Sequence, residues 1–422
     1  MKAVVRHAVL ILCLMFCLRP AMASAEGGGF TLPAQTERIE DGAFEGVPIS
    51  DLWLPDGVTS IGSRAFANTG MTTVVMPAGV RYIAPDAFDG CAGLVAAVHA
   101  GSYAAQWCAD NSVTALNITG LGTESRTQQQ IRDFVNAHPA DTQSSVTYRR
   151  APSLAEPYSP GLMSMESLQN GLNMVNQVRY IAGLNADVVN ADDVEENVAA
   201  AALINCLNDE QSHTPSRPAV LADSAYDDLY QKAYSGASSS NLYAGMRNMA
   251  NAVLGYMNDS DNSNISRVGH RRWILNPPMG RTTFGYCDSR NTRYGSFSGM
   301  YAFDRSSSGR QAPVAWPSVQ MPMSHFIRAN TQAWSVSFNR MLDVSAIRVT
   351  LIRDSDHYAW HFSDNDADGD FYVNNNWYGQ PGCVIFRAAT LSSISAGDSF
   401  HVLITDTANG TALIYTVAFF TV

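Results

Sequence analysis

Three phenylalanines, Phe44, Phe66 and Phe88, stand 22 residues apart, and each closes a similar phrase. The phrases are Ile39-Glu40-Asp41-Gly42-Ala43-Phe44, Ile61-Gly62-Ser63-Arg64-Ala65-Phe66 and Ile83-Ala84-Pro85-Asp86-Ala87-Phe88. A second phrase, Leu54-Pro55-Asp56-Gly57-Val58, returns at the same interval as Met76-Pro77-Ala78-Gly79-Val80. A short fixed period leaves a chain few options. Each unit is too small to enclose its own apolar face, so the units must stack and bury those faces against one another. The spacing predicts a short solenoid of three units over residues 30–115. Its strands are expected at Leu52-Trp53-Leu54 and Val74-Val75-Met76, just before each proline phrase. Ala104 to Cys108 is expected to close it as a helical cap.

The 422 residues exceed what one core usually organises, so further units must follow. Lys2 and Arg6 precede an apolar run, Ala8 to Leu18, and Ala23-Ser24-Ala25 offers a small-x-small cleavage site. Residues 1–25 therefore read as a secretory signal peptide, and the run is too short to span a bilayer. Cleavage there removes Lys2, Arg6 and Arg19 and no acid, which takes the formal charge from −11 to −14. So acidic a chain is a poor binder of nucleic acid or anionic membranes. Cys91, Cys108, Cys206, Cys287 and Cys383 remain. They do not make a disulfide framework, and only Cys91 and Cys108 are close in sequence, where pairing stays open.

Residues 116–162 are rich in Ser, Thr, Pro and Gln and read as a connector with one helix near Gln128–Asn136. Residues 163–315 mix helix and strand. Ser164 is the expected cap of a helix whose Leu168, Leu172, Val175, Val178 and Ala182 share a face, and Gly183 closes it. Further helices are expected over Asp193–Asp209, through four consecutive alanines, and over Gly245–Met257. Strands are expected around Phe284 and at Met300–Phe303. From residue 316 to 422, helical periodicity gives way to alternation. Ala333–Phe338, Ile347–Ile352, Gly382–Phe386, Phe400–Ile404 and Leu413–Phe419 read as strands of an immunoglobulin-like β-sandwich. Asp364, Asp366, Asp368 and Gly369 match the start of a calcium loop, but Asn375 stands at its twelfth position, which favours a solvated turn.

The chemistry concentrates in Val268-Gly269-His270-Arg271-Arg272-Trp273-Ile274-Leu275-Asn276-Pro277 and in His213. Two imidazoles brought together can hold a cation or grip a polar ligand. Arg271 and Arg272 are expected to pair with local acids, and Trp273 to be core. No Gly-x-Ser-x-Gly elbow, His-Glu-x-x-His helix or phosphate-cradling loop occurs.

Two families are similar to parts of this sequence. The 22-residue units resemble BspA-type leucine-rich repeats of bacterial surface proteins. Residues 163–315 resemble the CAP domain shared by cysteine-rich secretory, antigen 5 and pathogenesis-related 1 proteins. The matching phrases are Asn176-Gln177-Val178-Arg179 running to Gly183-Leu184, then His213, Ser239-Ser240-Asn241-Leu242, Val268 to Leu275, and Phe284-Gly285-Tyr286. The CAP resemblance implies an α-β-α sandwich with a cleft lined by His213, Asn241, Asp259 (with Asp261 as the neighbouring alternative for the acidic position) and His270. In some members such histidines bind a divalent cation, so His213 and His270 would be the ligands of a zinc ion. Ser240 stands where the family has a glutamate, which removes a carboxylate from that set.

The whole is thus a multidomain α+β chain: solenoid, CAP sandwich, then β-sandwich. Two functions follow. The first is non-enzymatic recognition, secreted or at the bacterial cell surface, with the arm on a protein partner and the cleft on a small ligand such as a lipid or divalent cation. The second is zinc-dependent hydrolysis of peptide or cell-wall bonds through His213 and His270.

Overall fold

The computed structural model describes residues 29–309, 312–328 and 331–422; the expected signal peptide lies outside them. Within the repeats, β1 (Gly29–Thr31), β3 (Asp51–Trp53), β5 (Thr73–Val75) and β7 (Val95–Val98) lie side by side in parallel. The register follows the sequence period, with Leu52 opposite Val74. β2 (Arg38–Ile39), β4 (Ser60–Ile61) and β6 (Tyr82–Ile83) form a second parallel ladder. The ladders begin one residue before the expected strands and include a fourth turn, from Gly29.

Between the two ladders the phenylalanines stack. Phe44 to Phe66 is 5.3 Å between ring centroids and Phe66 to Phe88 is 5.4 Å. Phe30 meets one end at 5.2 Å and Trp107 the other at 5.7 Å. Each fully buried ring contributes about 1.5–3 kcal/mol through removal from water. Trp107 belongs to α1 (Tyr103–Asp110), capped by Ser102, which accepts from Ala105 N at 3.2 Å. This helix closes the solenoid as expected. The five described cysteines are all free thiols; Cys91 donates to Phe66 O at 3.3 Å.

β8 (Thr114–Thr119) adds to β7 in parallel. The connector then forms α2 (Gln128–Ala137), begun by a Thr127/Gln130 capping box, and β9 (Tyr148–Arg150), which pairs with β10 (Leu162–Met163). α3 (Met165–Ile181) starts at Ser164, whose hydroxyl accepts from Ser167 N at 3.2 Å. It ends at Gly183, held at φ +73°, where any Cβ would overlap Glu124 O. β11 (Val189–Asn190), α4 (Glu195–Asn208), α5 (Asp227–Ser238), β12 (Ser240–Ala244), α6 (Met249–Asn258) and α7 (Gly269–Ile274) follow. β13 (Arg281–Thr282) pairs with β11, and β14 (Phe284–Asp288) and β15 (Ser296–Tyr301) complete the antiparallel sheet β12-β15-β14.

Helices cover both faces of that sheet. The buried run Ala199–Ala202 lets α4 approach so closely that a Cβ on Gly285 of β14 would overlap Val198 O. On the opposite face, a Cβ on Gly171 of α3 would lie 2.6 Å from the Phe284 ring and 2.7 Å from Met249 of α6. α5 and β12 were not expected from the sequence.

The remaining strands are β16 (Val314–Trp316), β17 (Gln320–Pro322), β18 (Trp334–Ser337), β19 (Ile347–Arg353), β20 (Ala359–Phe362), β21 (Gly369–Asn374), β22 (Cys383–Ala388), β23 (Ser399–Asp406) and β24 (Thr411–Phe420). The sheet β16-β18-β22-β21 faces the antiparallel run β24-β23-β19-β20. Trp334 reaches Phe400 at 5.5 Å and Phe362 reaches Phe386 at 5.3 Å across that core. The Asp364–Asp368 segment forms a turn between β20 and β21, and Asp368 accepts from His361 N at 2.7 Å.

The units expected to stand apart share one sheet. β24 pairs in parallel with β8, so the repeat ladder continues into the C-terminal strands as β1-β3-β5-β7-β8-β24-β23-β19-β20.

Candidate functional site

Asp259 ends α6 in the left-handed region, at φ +45°, and its side chain is 1% exposed. A buried carboxylate requires donors. It finds them in the next helix. Oδ2 accepts from His270 N at 2.9 Å, and Oδ1 lies 2.8 Å from His270 Nδ1. Nδ1–H therefore donates to Asp259, and Nε2 accepts in the neutral ring and donates in the protonated one. Val268 sets this approach. It precedes α7 at φ +39°, a strained conformation for a β-branched residue, costing about 1–3 kcal/mol. Its buried side chain packs with Ile265, Ala333, Cys383 and Ile385, which holds it there.

Asn241 braces the same group from β12. Its Nδ2 donates to His270 O at 3.1 Å, and its own carbonyl accepts from Tyr256 OH at 3.0 Å. The Tyr256 ring stands 5.4 Å from the imidazole. Sequence reasoning missed Tyr256, although it lies three residues before Asp259 on one helix, a spacing that shares a face.

His213 sits on the loop after α4, exposed as a residue but with its ring partly buried where Nδ1 lies 3.0 Å from Ala237 O. Gln211 ties that loop to β12 by donating to Leu242 O at 3.1 Å. The two imidazoles are tuned in opposite directions. Burial pushes His213 below the ordinary histidine range; the bond to Ala237 opposes this, and the charges of His270 and Arg267 add to it. Burial also pulls His270 down, but the charge and hydrogen bond of Asp259 outweigh it, and the pKa is raised.

The donor set does not fit zinc. Asp259 Oδ1 is engaged by His270 Nδ1 and Oδ2 by the backbone N–H groups of His270 and Arg271, and Nδ1 of each histidine is engaged. Ser240 lies on the other side of β12, its Cβ 3.6 Å from a Cβ built on Gly299 beside Val198. Two imidazole nitrogens remain, whereas a zinc site takes at least three protein ligands. Among the described residues, no group of three or more His, Cys, Asp and Glu is placed to hold a metal ion. Two surface depressions lie elsewhere: about 470 Å³ beside Arg38, Asp41, Arg81 and Tyr82, and about 430 Å³ beside Asp141, Glu166, Asn170 and Asn248.

The arginines after His270 are structural, but their partners are carbonyls and one hydroxyl rather than local acids. Arg271, fully buried, donates to Met257 O, Asn258 O, Ala333 O and Ser335 Oγ at 2.7–2.8 Å. Arg272 donates to Asn376 O at 2.6 Å and Gln380 O at 2.7 Å. These bonds fasten α7 to the C-terminal strands. Trp273 is only half-buried, its ring tilted against that of exposed Phe303 at 4.6 Å between centroids. Arg179 of the Asn-x-x-Arg phrase is also buried and donates to the carbonyls of Asn185, Ile274, Asn276, Pro277 and Met279.

The repeats are the part that known proteins match. Residues 26–100 match the BspA type Leucine rich repeat region, in six copies. No curated protein and no solved structure matches the chain. Among the described residues, no helix is long and apolar enough to cross a membrane.

Proposed function

We propose that this is a secreted or cell-surface recognition protein. Residues 1–25 direct export, the repeats of 30–115 engage protein partners, and 116–162 connect them to a CAP-like unit over 163–315. An immunoglobulin-like sandwich over 316–422 completes the chain. The observation that carries the reading is the six-copy repeat match, since BspA-type repeats are typical of surface and secreted bacterial proteins. Fold alone does not fix function, so the cleft is argued from its side chains.

The helix–sheet–helix layering and the Asp259–His270–Asn241 group support the CAP-like reading of the middle unit. In that cleft His270 offers an open Nε2 and a proton-rich imidazole, and His213 a more weakly basic one. This pair suits a small polar or anionic headgroup, such as that of a lipid, better than a cation. The rival reading, zinc-dependent hydrolysis, lacks a third metal ligand in the cleft.

Surface plasmon resonance of residues 26–422 tests the proposal, with extracellular-matrix proteins, envelope proteins and lipid vesicles as immobilised probes. Saturable binding is expected to at least one protein class, with vesicle binding lost in His270→Ala. A flat response to every probe removes the recognition reading. Zinc that co-purifies one per chain with untagged protein and is lost in His270→Ala would restore the hydrolase.

A further inference from the structure

The strand face of the repeat arm is not open to solvent in this chain. The long sheet curls back on itself, so that β3 and β5 look across at β19, β20 and β23. Val75, Ala97 and Leu116 of the arm pack with Leu403 and Ala412, and Trp53, Val95, Ile118 and Ile414 line the same contact. The Trp53 ring lies 4.7 Å from that of His401.

The seam that joins the two halves is short. β8 and β24 share three residue pairs, Asn117 to Thr411, Ile118 to Ala412 and Thr119 to Leu413, whereas β23 and β24 share eight. Far from the seam, at the free lip, is a polar fastening. Asp51 of β3 is 3% exposed, and its Oδ2 lies 2.6 Å from His361 Nε2 of β20. Its Oδ1 accepts from Thr350 Oγ1 of β19 at 3.4 Å. A buried carboxylate at an apolar contact is costly unless it is paired, so Asp51 has a reason to be there only when the two halves are together.

We infer that the C-terminal sheet is a built-in cover over the strand face of the repeat arm, hinged at the β8–β24 seam and latched at the lip by Asp51 and His361. A protein partner reaches that face only when the latch releases. That consequence rests on the reading of the arm as a recognition element; the cover itself does not, and the experiment below measures the cover alone.

The latch is sensitive to pH. His361 faces Asp51 from β3, Asp368 at 3.8 Å and Asp366 from its own turn, and the neutral Thr350 hydroxyl from β19. Burial pulls its pKa down, but the bond and charge of Asp51, helped by Asp368 and Asp366, raise it overall. A histidine whose pKa is higher when docked stabilises docking fully below its undocked pKa. That contribution is lost as pH rises through the docked pKa. The second histidine of the contact, His401, meets Asp354 at 3.0 Å and Thr416 Oγ1 at 3.0 Å, both from its own half, so it adds no charge pair across the cover.

Hydroxyl-radical footprinting of residues 26–422 at about pH 5.5 and about pH 8.5 reads the cover directly. In the wild type, labelling of Trp53 is expected to rise severalfold at the higher pH, with Phe66 and Trp107 protected throughout as controls for the folded arm. Asp51→Asn is expected to expose Trp53 already at the lower pH and to abolish the pH response. Leu403→Arg, which drives a charge into the apolar contact, is expected to expose Trp53 at both. Equal Trp53 labelling in the wild type at both pH values and in both variants would overturn the inference, because the contact would then be permanent.

Discussion

In the repeat arm, a residue's neighbours are 22 positions away; around His270 they are scattered. Leu52 pairs with Val74, and Phe66 stacks between Phe44 and Phe88, so every contact repeats the one before. Arg271 instead reaches Ala333 across 62 positions, and Arg272 reaches Gln380 across 108. The arm is held by apolar area that accumulates unit by unit. The middle of the molecule is held by buried donors, each of which must find particular carbonyls. A substitution in the first kind of order loosens neighbouring units of one stack, whereas in the second it strands carbonyls from distant parts of the chain.

The sharpest way to test that contrast is to remove one ring from the ladder. Phe66→Ala should cost about 3–5 kcal/mol, read by chemical denaturation, and the lost protection should be confined to the arm in hydrogen exchange. If protection falls equally around α7, the arm is not an independent stack. Next is Arg179→Met, which leaves the carbonyls of Ile274, Asn276, Pro277 and Met279 without their donor. A loss of about 3 kcal/mol is expected, with α7 and not the arm losing protection.

Asp259→Asn should cost about 1–2 kcal/mol and lower the titration midpoint of His270, followed by NMR. The wild-type His270 pKa is raised on folding, so its stabilising contribution is complete below the ordinary histidine range and disappears as pH climbs through the folded value. The variant should therefore show a flatter stability–pH curve; an unchanged curve would mean that Asp259 does not set the charge of His270. The smallest effect belongs to Ser164→Ala, about 1 kcal/mol, through loss of the cap on α3.

The same contrast decides how much could be read from the sequence. The solenoid was legible because its contacts are its period, and α3 because Ser164 and Gly183 mark its ends locally. α5 was not, since Asp227–Ser238 buries only small residues, Ala233, Gly236 and Ala237, and leans on the alanine face of α4. β12 was hidden inside a phrase read for its Asn241. The partners of Arg271 and Arg272 were misread, because a backbone carbonyl leaves no mark in a sequence as an acid does. The candidate site was named by resemblance, which pointed to His213, Asn241, Asp259 and His270. How Asp259 turns both its oxygens to the first turn of α7 could be seen only in the fold.

One consequence follows from β8, which is flanked by β7 on one edge and β24 on the other. The ribosome completes the solenoid some 290 residues before it supplies Thr411–Leu413. Throughout that interval the nascent chain carries a ready-made parallel ladder with a bare terminal strand, the geometry that recruits stray β-segments from other molecules. A holdase bound to that rim would protect the chain at its most adhesive moment.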